Sequence, residues 1–254
     1  MSKATEPRVD STLSKGLMIL EVLTQKNGSV GVSDLSRKLG LTKSNTFRLL
    51  QTLSNLGYVR QEPDRTYSAT LKTWQVGRAV VENMNLRSAA SAMMNYLSQE
   101  TQETIYLAVR DGLKVVYIDK VDSPQPIRSW NPVGGAAPLY CVGTGKAMLA
   151  AEYVQLRESV RQDLQAFTDL TLTDAESLDA DMEATRRRGY AIDRGEFRPN
   201  IYSFGAAILL PGGEVVGALG VSAPNVNLQD SDVARFGTLV QHAAAAVTQS
   251  LARL

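Results

Sequence analysis

The side chains best placed to do chemistry in this chain are hydrogen-bonding ones on one short helical run. In KSNTFRLLQTLSNL, residues 43–56, Thr46, Leu49, Leu50, Leu53 and Leu56 fall on one face at helical spacing. Lys43, Ser44, Asn45, Arg48, Gln51 and Asn55 are left for the other faces. Amides, hydroxyls and a guanidinium grouped this way match the donors and acceptors of base edges and phosphates in a DNA major groove. The candidate contacts on this helix are Lys43, Ser44, Asn45, Thr46, Arg48 and Gln51. Arg60 and Arg65 flank a turn at Glu62-Pro63-Asp64 and are candidates for phosphate contact. A second constellation is Gly143-Thr144-Gly145, just ahead of a helix that begins near Lys146. Successive backbone amides at a helix start make an anion site. The same residues also read as an ordinary glycine-rich loop that caps a helix. GTGK lacks the G-x-x-x-x-G-K-[ST] spacing of a phosphate loop, because Ala147 follows Lys146.

Both constellations depend on elements that hold them. Val32-Ser33-Asp34 opens a helix on which Leu35 and Leu39 repeat, and Gly40 supplies its left-handed stop. Leu41 plugs the turn, and Thr42 is the N-cap of the polar helix. Gly57 ends that helix, and the strands 58–60 and 65–67 follow. Ahead of these lie a helix from Ser11 to Thr24, with Leu13, Leu17, Leu20 and Leu23 near one face, and a turn at Asn27-Gly28-Ser29. Helix spacing of this kind occurs in any three-helix domain. The hairpin with paired arginines directly after a polar helix is what makes this a winged helix-turn-helix.

Composition limits the alternatives. The chain has 254 residues, long enough for two cores, with 44% hydrophobic and 21% charged residues, as in soluble globular proteins. It has one cysteine, Cys141, and one histidine, His242, almost no material for zinc binding or for Ser-His or Cys-His catalysis. No apolar run nears the roughly 18 residues of a membrane span. MSKATEPRVDST has no apolar segment, so the start reads as a short disordered arm and the location as cytoplasmic. Residues 1–70 hold ten Lys/Arg against six Asp/Glu, a balance of +4, whereas the remainder holds 17 against 20, or −3. That asymmetry suits a DNA-binding head on a body that avoids DNA.

Beyond the head, Leu71, Trp74, Val80, Met84 and Leu86 give a helical stripe, with a break expected near residues 83–87 and Met93, Met94 and Leu97 on the next helix. From Thr104 the period changes to two. TIYLAVR and KVVYIDKV form a hairpin about Asp111-Gly112, and IRSW reads as another short strand. A Gly/Pro-rich loop over 131–146 leads to the helix KAMLAAEY, and residues 159–171 read as irregular. Thr173 and Glu176 form a capping box for the helix that Gly189 stops. YAIDRGE, FGAAILL and EVVGALGVSAP are strands, and a terminal helix runs over 228–254.

These residues carry a resemblance. LSKGLMILEVL, LSRKLGLTKSNTFRLLQTLSNLGYV and TYSAT resemble the winged helix of the IclR family of bacterial transcriptional regulators. PLYCVGTGKAMLA, GYAIDRGEF and AAILLPGGEVVGALGVSAP resemble the family's C-terminal loop, helix and signature strands. The resemblance implies a GAF-like effector-binding domain, dimers or tetramers, and control of DNA binding by a small metabolite. It implies that Gly143 and Thr144 contact the effector through their amides, with Asp193, Ser203 and Ser222 in the pocket. Ser203 stands where the family usually has cysteine, and Gly220 where many members have serine.

Trp130, Tyr140 and Tyr202 could wall a pocket for an aromatic ring, or belong to core or interface. Arg128 or Arg198 could clamp a carboxylate, or lie on the surface. Cys141 reads as a small buried hydrophobe, His242 as a helix residue without special role, and Arg186-Arg187-Arg188 as cations at a helix C-terminus.

The expected protein is α+β: an arm over 1–10, a winged helix-turn-helix over 11–70, a linker helix over 71–87 and a GAF-like antiparallel sheet flanked by helices over 88–254. Its partners are double-stranded operator DNA, a carboxylate effector (aromatic in preference to aliphatic) and further copies of itself. The effector residues are Arg128, Trp130, Gly143, Thr144, Asp193, Tyr202, Ser203 and Ser222. No catalytic residue, metal or cofactor is expected. Two rival readings are a C-terminal domain that turns over small acids, for which Asp193 and Glu196 are the obvious carboxylates, and a ligand-free oligomerisation module.

Overall fold

Gly40 sits at φ 64° behind the helix Val32–Leu39, so the chain reverses there without the steric cost a side chain would bring. Thr42 then caps the helix Lys43–Asn55 by accepting from the Asn45 amide. In this computed structural model, which describes residues 10–25, 28–82 and 85–252, these are α2 and α3. With α1 (Ser11–Gln25) they enclose a core of Ile19, Val22, Leu23, Val30, Leu35, Leu49, Leu50, Val59 and Tyr67. The strands β1 (Val59–Gln61) and β2 (Tyr67–Ala69) pair antiparallel as the wing. The face of α1 is only partly the expected one: Leu23 is buried as expected, and so is Ile19 beside it. Ile19, Val22 and Leu23 are buried at i, i+3, i+4 spacing, whereas Leu13 and Leu17 are exposed because the first half of the helix projects past the core. Leu56 is exposed as well.

Helix α4 (Leu71–Glu82) groups with this first unit, which ends at Asn83, and the second unit runs from Met84. Residues 1–9 of the arm expected over 1–10, Asn27 of the first turn, and residues 83–84 of the break expected near 83–87 lie outside the described residues, as do the side chains of Val80 and Met84.

The second unit is built on one six-stranded, wholly antiparallel, curled sheet in the order β5-β4-β3-β8-β7-β6. Its strands are β3 (Thr104–Asp111), β4 (Lys114–Val121), β5 (Ala136–Pro138), β6 (Ala191–Arg194), β7 (Ile201–Leu209) and β8 (Val215–Pro224). The helices are α5 (Leu86–Thr101), α6 (Gly143–Ala151), α7 (Tyr153–Gln162), α8 (Ala175–Arg188) and α9 (Asp230–Leu251). Side chains alternate across the strands. Gly205 of β7 faces α6, and Phe204 packs edge-on against Phe236 of α9 on the other side. Three local expectations are corrected. IRSW is not a strand; the segment is held instead by Ser129, whose carbonyl accepts from the Thr104 hydroxyl. Residues 153–162 are helical, their polar exposed face having masked the pattern. Asp174, not Thr173, caps α8, accepting from the Ser177 amide at 2.8 Å.

The glycines that matter most lie where α6 crosses the sheet. A Cβ on Gly205 would stand 2.2 Å from the Gly143 carbonyl oxygen, and one on Gly220 2.5 Å from the Thr144 methyl. Gly205→Ala should therefore lower the unfolding free energy by about 1–3 kcal/mol, the usual cost of overpacking, with the helix shifting off the sheet. Gly16, mid-helix with nothing within 4 Å of an added Cβ, is the contrast: Gly16→Ala should stabilise α1 by about 0.5–1 kcal/mol. Denaturant melts of the two variants check both signs.

Candidate functional site

On α3 the cap at Thr42 and the buried Leu49 and Leu50 fix which way the polar residues point. Lys43, Ser44, Arg48 and Gln51 are exposed, and Asn45 is half-buried with its carbonyl accepting from the Arg48 guanidinium at 3.3 Å. Thr46 is a correction. It is 0% exposed; its hydroxyl donates to the Thr42 carbonyl at 3.0 Å and accepts from Ser36 at 3.1 Å. It joins α2 to α3 and cannot reach a base. Phe47 was overlooked: it is 48% exposed among the polar residues, and its position outside the Leu49–Leu50–Leu53 face was visible in the helical period.

In the wing, Arg60 donates to Glu62 at 2.8 Å and to the Ser68 hydroxyl at 3.3 Å. The Ser68 hydroxyl first, and Arg60 second, hold the Glu62 carboxyl below its ordinary value. Arg60 is thus partly neutralised within the hairpin. Arg65 has no acidic partner among the described residues and sits at φ 64°, a left-handed conformation that glycine or asparagine would adopt at lower cost.

In the second unit a cavity opens beside the start of α6. Its walls are Tyr106, Tyr117, Ser129, Asn131, Val142, Thr144, Asp193, Phe197, Arg198, Ile201, Ser203, Gly220, Val221 and Ser222. Of the expected effector residues, Thr144, Asp193, Ser203 and Ser222 are brought together here. Gly143 stands immediately behind them, its amide donating to the Ser203 hydroxyl at 2.8 Å, so that amide is already engaged. Its glycine is required by close approach, since a Cβ there would meet the Ser203 backbone at 2.9 Å, and no positive φ is involved. Arg128, Trp130 and Tyr202 do not line the cavity. Arg128 and Trp130 lie on an exposed loop, Trp130 with 56% of its surface open and Lys120 over its ring. Tyr202 alternates with the inward-facing Ile201 and Ser203, so strand period turns it to the other side. Tyr140 is elsewhere too, bridging the backbone of Gln165. The cavity's cation is Arg198, which donates to the Trp130 carbonyl at 3.0 Å. Its aromatic walls, Tyr106 and Tyr117 at 4.7 Å and Phe197, were overlooked, since on a strand nothing in their type or spacing separates a cavity wall from core.

A hydrogen-bonded chain runs along the back of the cavity. Asp193 accepts from the amides of Gly195 and Glu196 at 2.9 and 2.7 Å and from the Ser203 hydroxyl at 2.7 Å. Ser222 donates to Ser129 at 2.9 Å. Burial raises the Asp193 carboxyl from its ordinary 3.8 to about 6, the hydrogen bonds from Ser203 and the Glu196 amide opposing. Lys146 is 1% exposed, tied to Glu196 at 2.6 Å, Asp181 at 2.9 Å and the Ile192 carbonyl at 2.8 Å. Burial works against its charge, but the two carboxylates prevail and hold it protonated. It is therefore unavailable to a phosphate. Among the described residues no group of three or more His, Cys, Asp and Glu is placed to hold a metal ion, and no helix is long and apolar enough to cross a membrane.

A winged helix-turn-helix joined in one chain to a curled sheet with a small cavity defines the two-domain type of transcription regulator. Residues 12–63 match the model described as the IclR helix-turn-helix domain, and residues 78–249 that described as bacterial transcriptional regulator IclR C-terminal. The chain belongs to the IclR family of bacterial transcriptional regulators. It is 33% identical over 242 residues to the transcriptional repressor IclR of Escherichia coli K12, covering 93% of this chain and 88% of that one. It is 30% identical to the regulator KdgR of the same organism, covering 97% and 94%. The crystal structure of Thermotoga maritima IclR superposes with a TM-score of 0.77 at 27% identity, covering 95% and 98%. That of an IclR homolog from Microbacterium hydrocarbonoxydans complexed with 4-hydroxybenzoate has the same fold, with a TM-score of 0.82 at 21% identity over 96% and 100%.

The raised Asp193 carboxyl has a measurable consequence. The native protein binds more protons than the unfolded chain between pH 3.8 and about 6, so this group's contribution to stability is fullest in acid and declines as pH rises through that window. Asp193→Asn should remove up to about 1.4 kcal/mol per pH unit of that decline. Urea melts of both proteins at intervals from pH 4 to 7 measure the slope, and an unchanged slope would show that Asp193 ionises normally.

Proposed function

We propose that this regulator binds a pseudo-palindromic operator through paired heads and answers to a small organic acid held in the cavity of its second unit. The observation that carries the effector reading is the placing of one cation, the exposed Arg198, beside a ring of hydroxyls, the buried Thr144, Ser129 and Ser222 and the half-buried Ser203, around a single cavity. A carboxylate takes charge from Arg198 and hydrogen bonds from the hydroxyls. The cavity of about 30 Å³ has room for roughly two waters, well below the roughly 150 Å³ that takes benzene. Only the smallest acids, of one or two carbons, approach this volume. Tyr106, Tyr117 and Phe197 support a second reading, an aromatic acid admitted when the 195–200 segment moves outward, and the 4-hydroxybenzoate in the Microbacterium protein is an acid of that kind.

On the DNA side, α3 enters the major groove and the wing lies along the backbone, in the cytoplasm where chromosomal DNA is found. Leu13, Leu17 and Met18 on α1, and Leu71, Trp74 and Val76 on α4, are exposed apolar side chains that suit association of heads into a dimer.

Arg198→Gln should weaken binding of the effector acid by about 1.5–3 kcal/mol while leaving operator affinity intact. Thermal-shift titration against a graded series, from two-carbon acids to 4-hydroxybenzoate, identifies both the size class and the arginine's part. Absence of any shift across the series would favour the ligand-free oligomerisation module, and consumption of an acid would favour the enzyme. Arg48→Ala should cost roughly 1–3 kcal/mol in specific DNA binding if it meets a base edge. Arg65→Ala should weaken all sequences about equally and lower the salt slope by about one ion. Full-length protein should sediment as a dimer or tetramer at micromolar concentration; a monomer would remove the basis for a palindromic operator.

A further inference from the structure

Phe47 is the one side chain on the polar side of α3 that cannot form a hydrogen bond with DNA, and it is 48% exposed. Of its neighbours at helical spacing, Lys43, Ser44 and Gln51 are exposed and polar, as is Arg48 beside it, and only Leu50 turns into the core. The buried residues of this helix are Thr46, Leu49 and Leu50, so Phe47 has no part in the core of the head. A lone aromatic set among cations and amides also does not suit a protein partner, which would bury a contiguous apolar patch. The exposed apolar residues that could form such a patch are on α1 and α4, not here.

We propose that Phe47 reads thymine in the operator by packing against its 5-methyl group. The argument is one of elimination by chemistry. In the major groove the features that are neither donor nor acceptor are the thymine 5-methyl and the small C5–H of cytosine, and of these the methyl is the only apolar group of any size. A phenyl ring gains there from apolar contact and would leave any other edge partly desolvated without a hydrogen bond. The basic balance of the head and the cations Lys43 and Arg48 on either side supply the attraction that brings this face to DNA. The inference deepens the operator reading above and rests on it.

The test begins with duplexes enriched from a random library by the full-length wild-type protein. Thymines in the enriched site are then replaced singly by deoxyuridine, which differs only by the missing methyl. Wild-type affinity should fall about fourfold at one or more positions per half-site, the loss equivalent to one buried methyl(ene) group. Phe47→Ala, shown by its melting curve to be folded, should bind the original duplex more weakly and be indifferent to deoxyuridine at those same positions. Phe47→Leu should keep part of the sensitivity. If no position responds in the wild type, or if Phe47→Ala keeps the full response, the proposal is overturned. It is equally overturned if Phe47→Ala alters only the sedimentation state. A wild-type protein that enriches no sequence would instead remove the operator reading beneath it, a result separable from the others because it appears before any base is modified.

Discussion

The second unit depends on one close approach: α6 lies on the sheet at backbone distance. Gly143 and Gly205 touch without side chains between them, and Gly220 leaves room for the Thr144 methyl. Only that spacing lets the Gly143 amide reach the Ser203 hydroxyl, and through it Asp193. The helix start contributes its first turn to the cavity wall because it cannot stand off. The family's frequent serine at position 220 would collide with Thr144 as it is placed here, so Gly220 and Thr144 are best understood together.

Lys146 secures the same helix from below. Its ammonium meets Glu196 from the loop after β6, Asp181 from α8 and the Ile192 carbonyl of β6. Buried ion pairs are weak contributors to net stability, because desolvation opposes the Coulomb attraction. Their geometry is nevertheless demanding, and breaking one leaves a buried charge uncompensated. This favours one position of α6 relative to β6 and α8 over all others. Glu196 is also the residue whose amide holds Asp193 and whose carbonyl accepts from Thr171. The segment that bears Phe197 and Arg198 is therefore anchored at its first residues and reaches the cavity with its next two. In the proposed function, an acid that displaces it must offset those hydrogen bonds, and it biases the protein only by binding one arrangement better than the other.

The head was the more legible unit because its signals are local. Gly40, Thr42 and Gly57 act within their own turns, and the wing forms over eleven residues from Val59 to Ala69. Where the reading failed, tertiary packing decided. Thr46 is a residue of modest size whose hydroxyl suits DNA or a neighbouring helix equally well, and only the placement of Ser36 settles it. In the second unit Thr144, Asp193, Ser203 and Ser222, which the family resemblance implied, line one cavity. The aromatic residues expected as walls do not. Trp130, Tyr140 and Tyr202 are large and lie near the motifs, but a cavity is made by residues distant in sequence, and Tyr106, Tyr117 and Phe197 reach it from β3, β4 and a loop.

The two sites use polar side chains under opposite constraints. On α3 the groups are exposed and loosely held, as in the single contact of 3.3 Å between Arg48 and Asn45. Water satisfies them until a partner arrives, so their presence costs the free protein little. In the cavity three polar residues are already engaged: Ser203 both donates and accepts, Asp193 accepts three times, and Ser222 is tied to Ser129. A ligand that binds through these three must exchange hydrogen bonds with the protein, whereas DNA at α3 would displace water. Exchange of this kind yields little net affinity per bond but discriminates strongly, since a ligand that fails to replace a broken bond leaves a buried group unsatisfied. In the proposed function, specificity for the effector would thus draw on bonds the protein already makes, and specificity for DNA on groups it leaves open.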